Sequence, residues 1–212
     1  MCKENTIIIR LARNLSKTEE QDHIQSLLRR MTHLVLQENQ KEEIDPFRYL
    51  LGGGDSQTVT LASGRKYILS LKPGLRTKAE MTLRGWNITV SPQVRRARLH
   101  RFFWSLISKS ELRRVTQLVH AINMETYQAH IREVRLSFAT TQWGSCSPKG
   151  VIMINTALLF LPPRLLRYVI VHELAHRRHA NHSATYWREV ERMMPNYRKP
   201  YMELQGYRLP QI

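Results

Sequence analysis

Two histidines and a glutamate within five residues carry the most chemistry in this chain. They stand in the stretch Val169-Ile170-Val171-His172-Glu173-Leu174-Ala175-His176, and two more histidines, His179 and His182, follow closely. On a helix, residues four apart lie one above the other on the same face. The imidazoles of His172 and His176 can then reach one ion from successive turns. Glu173 points off that axis, where it can reach a water at the ion without being a ligand. Such a set is suited to metal-assisted hydrolysis. Zn²⁺ polarises a bound water and lowers its pKa toward neutrality. Glu173 is the candidate general base. It would take the proton as the water attacks a peptide carbonyl, then pass it to the leaving amine.

A catalytic zinc usually has three protein ligands and one open position. His179 lies seven residues after His172 and falls on nearly the same helical face. Seven residues of helix rise about 10.5 Å, whereas two ligands of one tetrahedral zinc sit about 3.3 Å apart. His179 therefore cannot join the pair on an unbroken helix. His182 can do so only if the helix ends near Ala180-Asn181, where Asn tolerates the left-handed conformation that terminates helices. Glu189 and Glu191, on a following helix, are further candidates for the third position.

The elements that must place these residues are legible as periodic patterns. Leu165, Leu166, Val169, Ile170 and Val171 predict a largely buried helix. Pro163 suits its first turn. Buried polar groups cost stability unless satisfied, so this helix needs a reason to carry them. Val134, Leu136 and Phe138 alternate with polar or small residues, as in a strand with one buried face. Gln142 to Gly150 reads as a turn, and Val151 to Asn155 as the next strand. Ser183 is a candidate cap for a short helix, Thr185 to Met193, stopped by Pro195.

Earlier in the chain, Thr6 to Ala12 reads as a strand. Ser16 and Glu19 form a capping box ahead of a helix striped by Ile24, Leu27, Leu28, Met31, Leu34 and Val35. Glu38 to Gln57 is charged and then Gly-rich, the best linker candidate. Strands are expected at Val59 to Leu61 and Lys66 to Leu71. A hairpin joins Thr77–Leu83 to Trp86–Val90 through Arg84-Gly85. Val94 to Ile107 reads as an amphipathic helix, and Ser110 as the cap of a separate one.

The 212 residues, 42% hydrophobic, suit a globular protein with one sizeable domain or a catalytic domain with a small appendage. The longest apolar run, Val151 to Leu161, is too short to span a bilayer, so no membrane partner is expected. The first residues lack the pattern of a signal peptide. Two cysteines suggest no disulfide framework, and a cytoplasmic setting is expected. The net charge of +16 is concentrated in residues 64–114, which alone carry +11. A segment this basic attracts polyanions, which makes nucleic acid a candidate partner. No feature bears on oligomeric state.

Residues from about 130 to 200 closely resemble the YgjP-like metallopeptidases, a zincin group akin to SprT-like peptidases. The resemblance is carried by Thr140-Thr141-Gln142-Trp143-Gly144-Ser145-Cys146-Ser147, by Leu161 to His176, and by Asn181-His182-Ser183-Ala184-Thr185-Tyr186-Trp187. It implies His172, His176 and His182 as metal ligands, Glu173 as base, and Zn²⁺ as cofactor. It extends more weakly over 60–130 and hardly over the first 57 residues. Gln142 stands where the family usually has Arg, and Tyr186 where Phe is commoner. His179 occupies the Gly position of metzincins, a group with the same histidine spacing.

The expected fold is therefore α+β and zincin-like. A mixed β-sheet would lie beside the helix bearing the histidines, behind a basic β-rich N-terminal portion. The expected division is 1–57, a strand-helix segment with linker, and 58–212, the metallopeptidase region, with 58–130 basic strands and helices and 131–212 the zincin core. The expected activity is hydrolysis of a protein or peptide substrate. Alternatives are a nucleic-acid-associated protein with a structural or regulatory metal, a DNA-guided SprT-like protease, and a hydrolase of non-peptide amides or esters. Tyr186, Tyr168 or an arginine are candidates for holding the oxyanion. The Trp143 to Ser147 turn is either a substrate edge or a structural turn.

Overall fold

The structure is a computed structural model and describes residues 10–11 and 15–211. Apart from Arg10 and Leu11, the strand expected at Thr6–Ala12 lies outside the described residues. The chain forms two compact units, Met1–Glu42 and Glu43–Ile212.

The first unit is dominated by α1 (Lys17–Gln40). Its capping box is present. The Ser16 hydroxyl accepts from the Glu19 amide, and the Glu19 carboxylate accepts from the Ser16 amide at 2.8 Å. The apolar stripe of this helix buries no residue.

The short strand β1 (Glu42–Glu43) spans the boundary in sequence, and the second unit continues into the single-turn helix α2 (Arg48–Leu51). Residues 43–57 are not a free linker. Phe47 and Leu50 are buried, and Phe47 packs edge-on against Trp104 with centroids 4.9 Å apart. The glycines of 52–54 only follow this helix; burial of the apolar residues before them decides the segment. At the other end of the unit, the Ile44 amide donates to the Arg208 carbonyl at 3.0 Å. Arg208 belongs to the two-residue strand β9 (Tyr207–Arg208).

Four strands then form a mixed sheet, β2 (Ser56–Thr60), β3 (Lys66–Pro73), β4 (Lys78–Thr82) and β5 (Gly85–Val90), in the order β2-β3-β5-β4. β4 and β5 are an antiparallel pair, as the hairpin expected there predicts; β2 and β3 are also antiparallel, and β3 and β5 run parallel between them. At Gly85, with φ of 154°, a Cβ would lie 2.0 Å from the Ile68 carbonyl oxygen, so only glycine permits this close strand pairing.

The two helices expected at 94–107 and after Ser110 are one continuous helix, α3 (Arg96–Glu125). Ser110 caps nothing. Its hydroxyl donates to the Leu106 carbonyl one turn back, a bond that leaves the helix intact. The next residue, Glu111, is buried and takes Tyr67, Arg65 and Arg114 as partners, which ties the helix to the four-stranded sheet. Phe103 and Trp104 are fully buried and Trp104 stacks on Phe138, while Arg95, Arg96, Arg98 and Arg101 stay exposed. The aromatic residues of this basic helix are therefore core, as its amphipathic pattern implies.

A second mixed sheet positions the site. Its strands are β6 (Glu133–Ser137), β7 (Gly144–Cys146) and β8 (Val151–Asn155), in the order β6-β8-β7. β8 pairs parallel with β6 and antiparallel with β7, which leaves β7 at an edge. β7 lies inside the stretch that its composition predicts to be turn. Cross-strand pairing from Gly144↔Ile154 to Cys146↔Ile152 overrides that local preference. A 3₁₀ turn (Thr156–Phe160) leads to α4 (Pro163–Ala175), α5 (Ala184–Met193) and α6 (Arg198–Leu204). Among the described residues, no helix is long and apolar enough to cross a membrane.

The placing of Phe47 can be checked directly. Phe47→Ala is expected to cost about 3–5 kcal/mol in urea unfolding, as for a core aromatic. A loss below about 0.5 kcal/mol would return residues 43–57 to the status of a linker.

Candidate metal centre

α4 starts with Pro163 in its first turn and buries Leu165, Leu166, Tyr168, Val169, Ile170, Val171, Leu174 and Ala175. The helix is thereby fixed in the core, and it carries His172, Glu173 and His176 at its C-terminal end. It stops much earlier than Asn181. Ala175 is its last residue, and His176 caps it. The Arg177 amide bonds back to the Leu174 carbonyl at 3.0 Å and the Arg178 amide to Ala175 at 2.9 Å, the tighter spacing of a closing turn. Asn181 does not take the left-handed conformation expected of it; among the described non-glycine residues only Gln128 has a positive φ. The chain reverses through these backbone bonds instead. It then enters α5 at Ser183, whose hydroxyl accepts from the Tyr186 amide.

The reversal brings three histidines together. The ligand-capable nitrogens of His172, His176 and His182 lie within 4.8 Å of one another. The Nε2 atoms of His172 and His182 are 3.1 Å apart, close to the separation of two nitrogens on one tetrahedral ion. His176 Nδ1 lies 3.0 Å from the His179 carbonyl oxygen. A donated Nδ1–H there leaves Nε2 with a free lone pair, the usual way a ligating histidine is oriented. His179 thus contributes a backbone carbonyl, and its ring is not in the cluster. Glu189 is engaged elsewhere, by Arg178 and Arg192, and neither it nor Glu191 joins the group.

These residues fit a metal ion. Three imidazoles converge, and each can offer a neutral nitrogen. Burial, then the neighbouring His176 and His182, lowers the His172 pKa to about 3. Burial, then His176, lowers that of His182. The neutral, ligand-competent form of both is favoured across the physiological range. Imidazole donors suit zinc, copper, iron and nickel better than they suit magnesium or calcium.

Glu173 lies on the other side of α4's end, 5% exposed. No described group hydrogen-bonds or pairs with its carboxylate, and burial alone pushes its pKa up to about 8. A bound cation favours the ionised form, so this shift belongs to the metal-free chain. Cys146 lies in the same cleft, and burial raises its pKa despite the neighbouring Arg177. Its thiol therefore lacks the activation of a nucleophilic cysteine.

Two arrangements at the site escape sequence reading. The Tyr186 hydroxyl donates to the His172 carbonyl at 3.0 Å, and the residue is fully buried. It braces the ligand helix rather than facing the cleft, which removes it as an oxyanion donor. Arg177, one helical turn from Glu173, donates from Nε to the His130 carbonyl (3.2 Å) and from Nη1 to the carbonyls of Ser147 (3.3 Å) and Pro148 (2.9 Å). The spacing Glu173/Arg177 is visible in the sequence, but its carbonyl partners are not. The cleft itself holds about 660 Å³ and is walled on one side by Gly144, Ser145 and Cys146 of β7.

Comparison with known proteins supplies the class. A family model described as "YgjP-like, metallopeptidase domain" matches residues 2–207. The protein is a metallopeptidase, a hydrolase that works on peptide bonds with a metal ion. The chain belongs to the YgjP-like family. No curated protein matches it. Two solved structures are similar over part of the chain. The metallopeptidase zymogen abylysin of Pyrococcus abyssi shares 25% identity and a TM-score of 0.39, covering 45% of this chain and 99% of that one. The metallopeptidase zymogen jannalysin of Methanocaldococcus jannaschii shares 17% identity and a TM-score of 0.38, over 42% and 92%.

The isolated carboxylate makes a pH prediction. Its folded pKa lies above the unfolded value near 4.5, so the folded state holds a proton that the unfolded state releases. The stability it contributes is full below pH 4.5 and is lost as pH rises toward 8. In the metal-free protein, Glu173→Gln should match the parent's unfolding free energy at about pH 4. It should exceed it at pH 8.5, by at most about 5 kcal/mol. Equal stability at both pH values would show that the carboxylate is not held in a desolvated place.

Proposed function

We propose that the protein is a zinc-dependent peptidase with His172, His176 and His182 as metal ligands and Glu173 as general base and acid. The carrying observation is the gathering of three imidazole nitrogens within 4.8 Å beside a buried carboxylate that no described residue hydrogen-bonds. When bound, zinc supplies Lewis acidity and makes water acidic enough to lose a proton near neutral pH.

The remaining work falls to the chain's own groups. The carboxylate of Glu173 accepts the proton of the attacking water and holds it in a site where burial slows its loss to solvent. It then gives the proton to the leaving amine nitrogen. The ring of His176 is oriented by the His179 carbonyl and that of His172 by its place on a helix braced by Tyr186. The substrate is an extended peptide that adds to the open edge of β7, where backbone groups of Gly144–Cys146 border the cleft.

Two measurements test this reading. Elemental mass spectrometry should find one zinc per chain in the parent and in His179→Ala, and a lost or weakened site in His182→Ala. Retention of zinc by His182→Ala with loss in His179→Ala would reverse the ligand assignment. Glu173→Gln should keep the zinc and lose about 10²–10⁴-fold in kcat. A variant that still cleaves peptides at the parent's rate would remove Glu173 from the mechanism.

A further inference from the structure

Gly144 stands at the start of β7, opposite Ile154 of β8. Its φ is not in the left-handed region, so its backbone conformation does not require glycine. The space around it does. A Cβ at this position would lie 2.7 Å from Glu173 Oε1, 2.8 Å from Glu173 Cγ and 3.0 Å from Glu173 Cδ. These are its three nearest atoms, and all belong to the side chain read above as the general base.

The backbone on both sides is held, so the Glu173 side chain is the part that must move. The backbone at 142–146 is held by the β7/β8 pairing, by the Asn155 amide donating to the Trp143 carbonyl (2.9 Å), and by the buried Asn155 side chain donating to the Gln142 carbonyl (2.8 Å). On the other side, Glu173 issues from α4, whose neighbouring residues Ile170, Val171 and Leu174 are fully buried. The carboxylate has no hydrogen bond of its own to fix its rotamer. What fixes it is contact, and the surface it rests on is the bare Cα of Gly144. A side chain there would push the carboxylate toward the open cleft, the free space beside both residues.

We infer that Gly144 is a positioning residue for Glu173: the absence of a side chain at 144 sets where the base sits. The inference rests on the role given to Glu173 in the proposed function. It differs from a requirement for glycine in the strand, because the conflict is with one side chain and not with the backbone.

The test is Gly144→Ala, alone and combined with Glu173→Ala, in the full chain loaded with Zn²⁺. Four quantities are read: zinc per chain, thermal unfolding, cleavage of fluorescein-labelled casein, and the crystal structure. The single variant should keep one zinc and the parent's KM, and lose about 10²-fold in kcat, the cost of a misplacement of about 1 Å at a reacting group. Its crystal structure should show the Glu173 carboxylate displaced toward the cleft. In the Glu173→Ala background, Gly144→Ala should leave the unfolding temperature unchanged and lower the residual rate far less than 10²-fold. An unmoved carboxylate, an unchanged kcat, or the same loss in both backgrounds would overturn the inference. If Gly144→Ala fails to fold, folding of the double variant supports the contact and failure of both refutes it. Full activity in Glu173→Gln, measured alongside, would instead defeat the proposed function and take the positioning role with it, even if the displacement is seen. If the parent does not cleave casein, the position of Glu173 in the two crystal structures decides the contact.

Discussion

A helix advances about 1.5 Å per residue, so ten residues of unbroken helix would hold His172 and His182 about 15 Å apart. Their Nε2 atoms are 3.1 Å apart. The whole site depends on how that distance is closed. α4 ends at Ala175, the next amides bond back to Leu174 and Ala175, and the chain turns into α5 at Ser183. The turn is made without a left-handed residue and is stabilised by hydrogen bonds. His179, whose amide bonds back to the Ala175 carbonyl, presents its own carbonyl to the ring of His176. Termination of the helix and orientation of a candidate ligand are thus a single local event.

The second constraint is burial. α4 delivers polar groups into a place that water hardly reaches, and their protonation states follow. Burial favours the neutral rings of His172 and His182 and the protonated carboxyl of Glu173 in the metal-free chain, because the charged form of each is poorly solvated. A cation entering the site reverses the balance for the carboxylate and uses the lone pairs of the imidazoles. The absence of a competing carboxylate among the three gathered histidines, with Glu189 tied to two arginines, leaves the ion a donor set of nitrogen alone.

Much of this was legible in the residues. The spacing of His172 and His176, the apolar face before them and Pro163 together predict α4, because helical periodicity and cap chemistry are local properties. The alternation at 134–138 and the run at 151–155 predict β6 and β8 for the same reason. What escaped is non-local. β7 looks like a turn until its pairing with β8 is known. The break near Ser110 is absent because Glu111 finds three partners distant in sequence or a turn away. Phe47 and Leu50 are core residues inside a segment whose glycines and charges resemble a linker. α4 ends before Asn181, the residue with the intrinsic tolerance for a helix stop, because backbone bonds closer to the histidines have already turned the chain. Gly144 is the clearest case: its sequence context shows a turn glycine, and only the fold shows which atom occupies the missing Cβ's place.

Arg177 has a mechanical consequence. Its guanidinium reaches three backbone carbonyls, one before β6 and two in the loop between β7 and β8. It sits just past the end of the helix that carries His172 and Glu173. The fork therefore works as a cross-strut, joining the helix end to the sheet at a fixed pitch. Any thermal motion that slides the three-stranded sheet carries the strut, the helix end and the base with it. Separating the edge of β7 from the end of that helix would have to break these bonds, so the strut resists widening of the gap on the side where Glu173 lies.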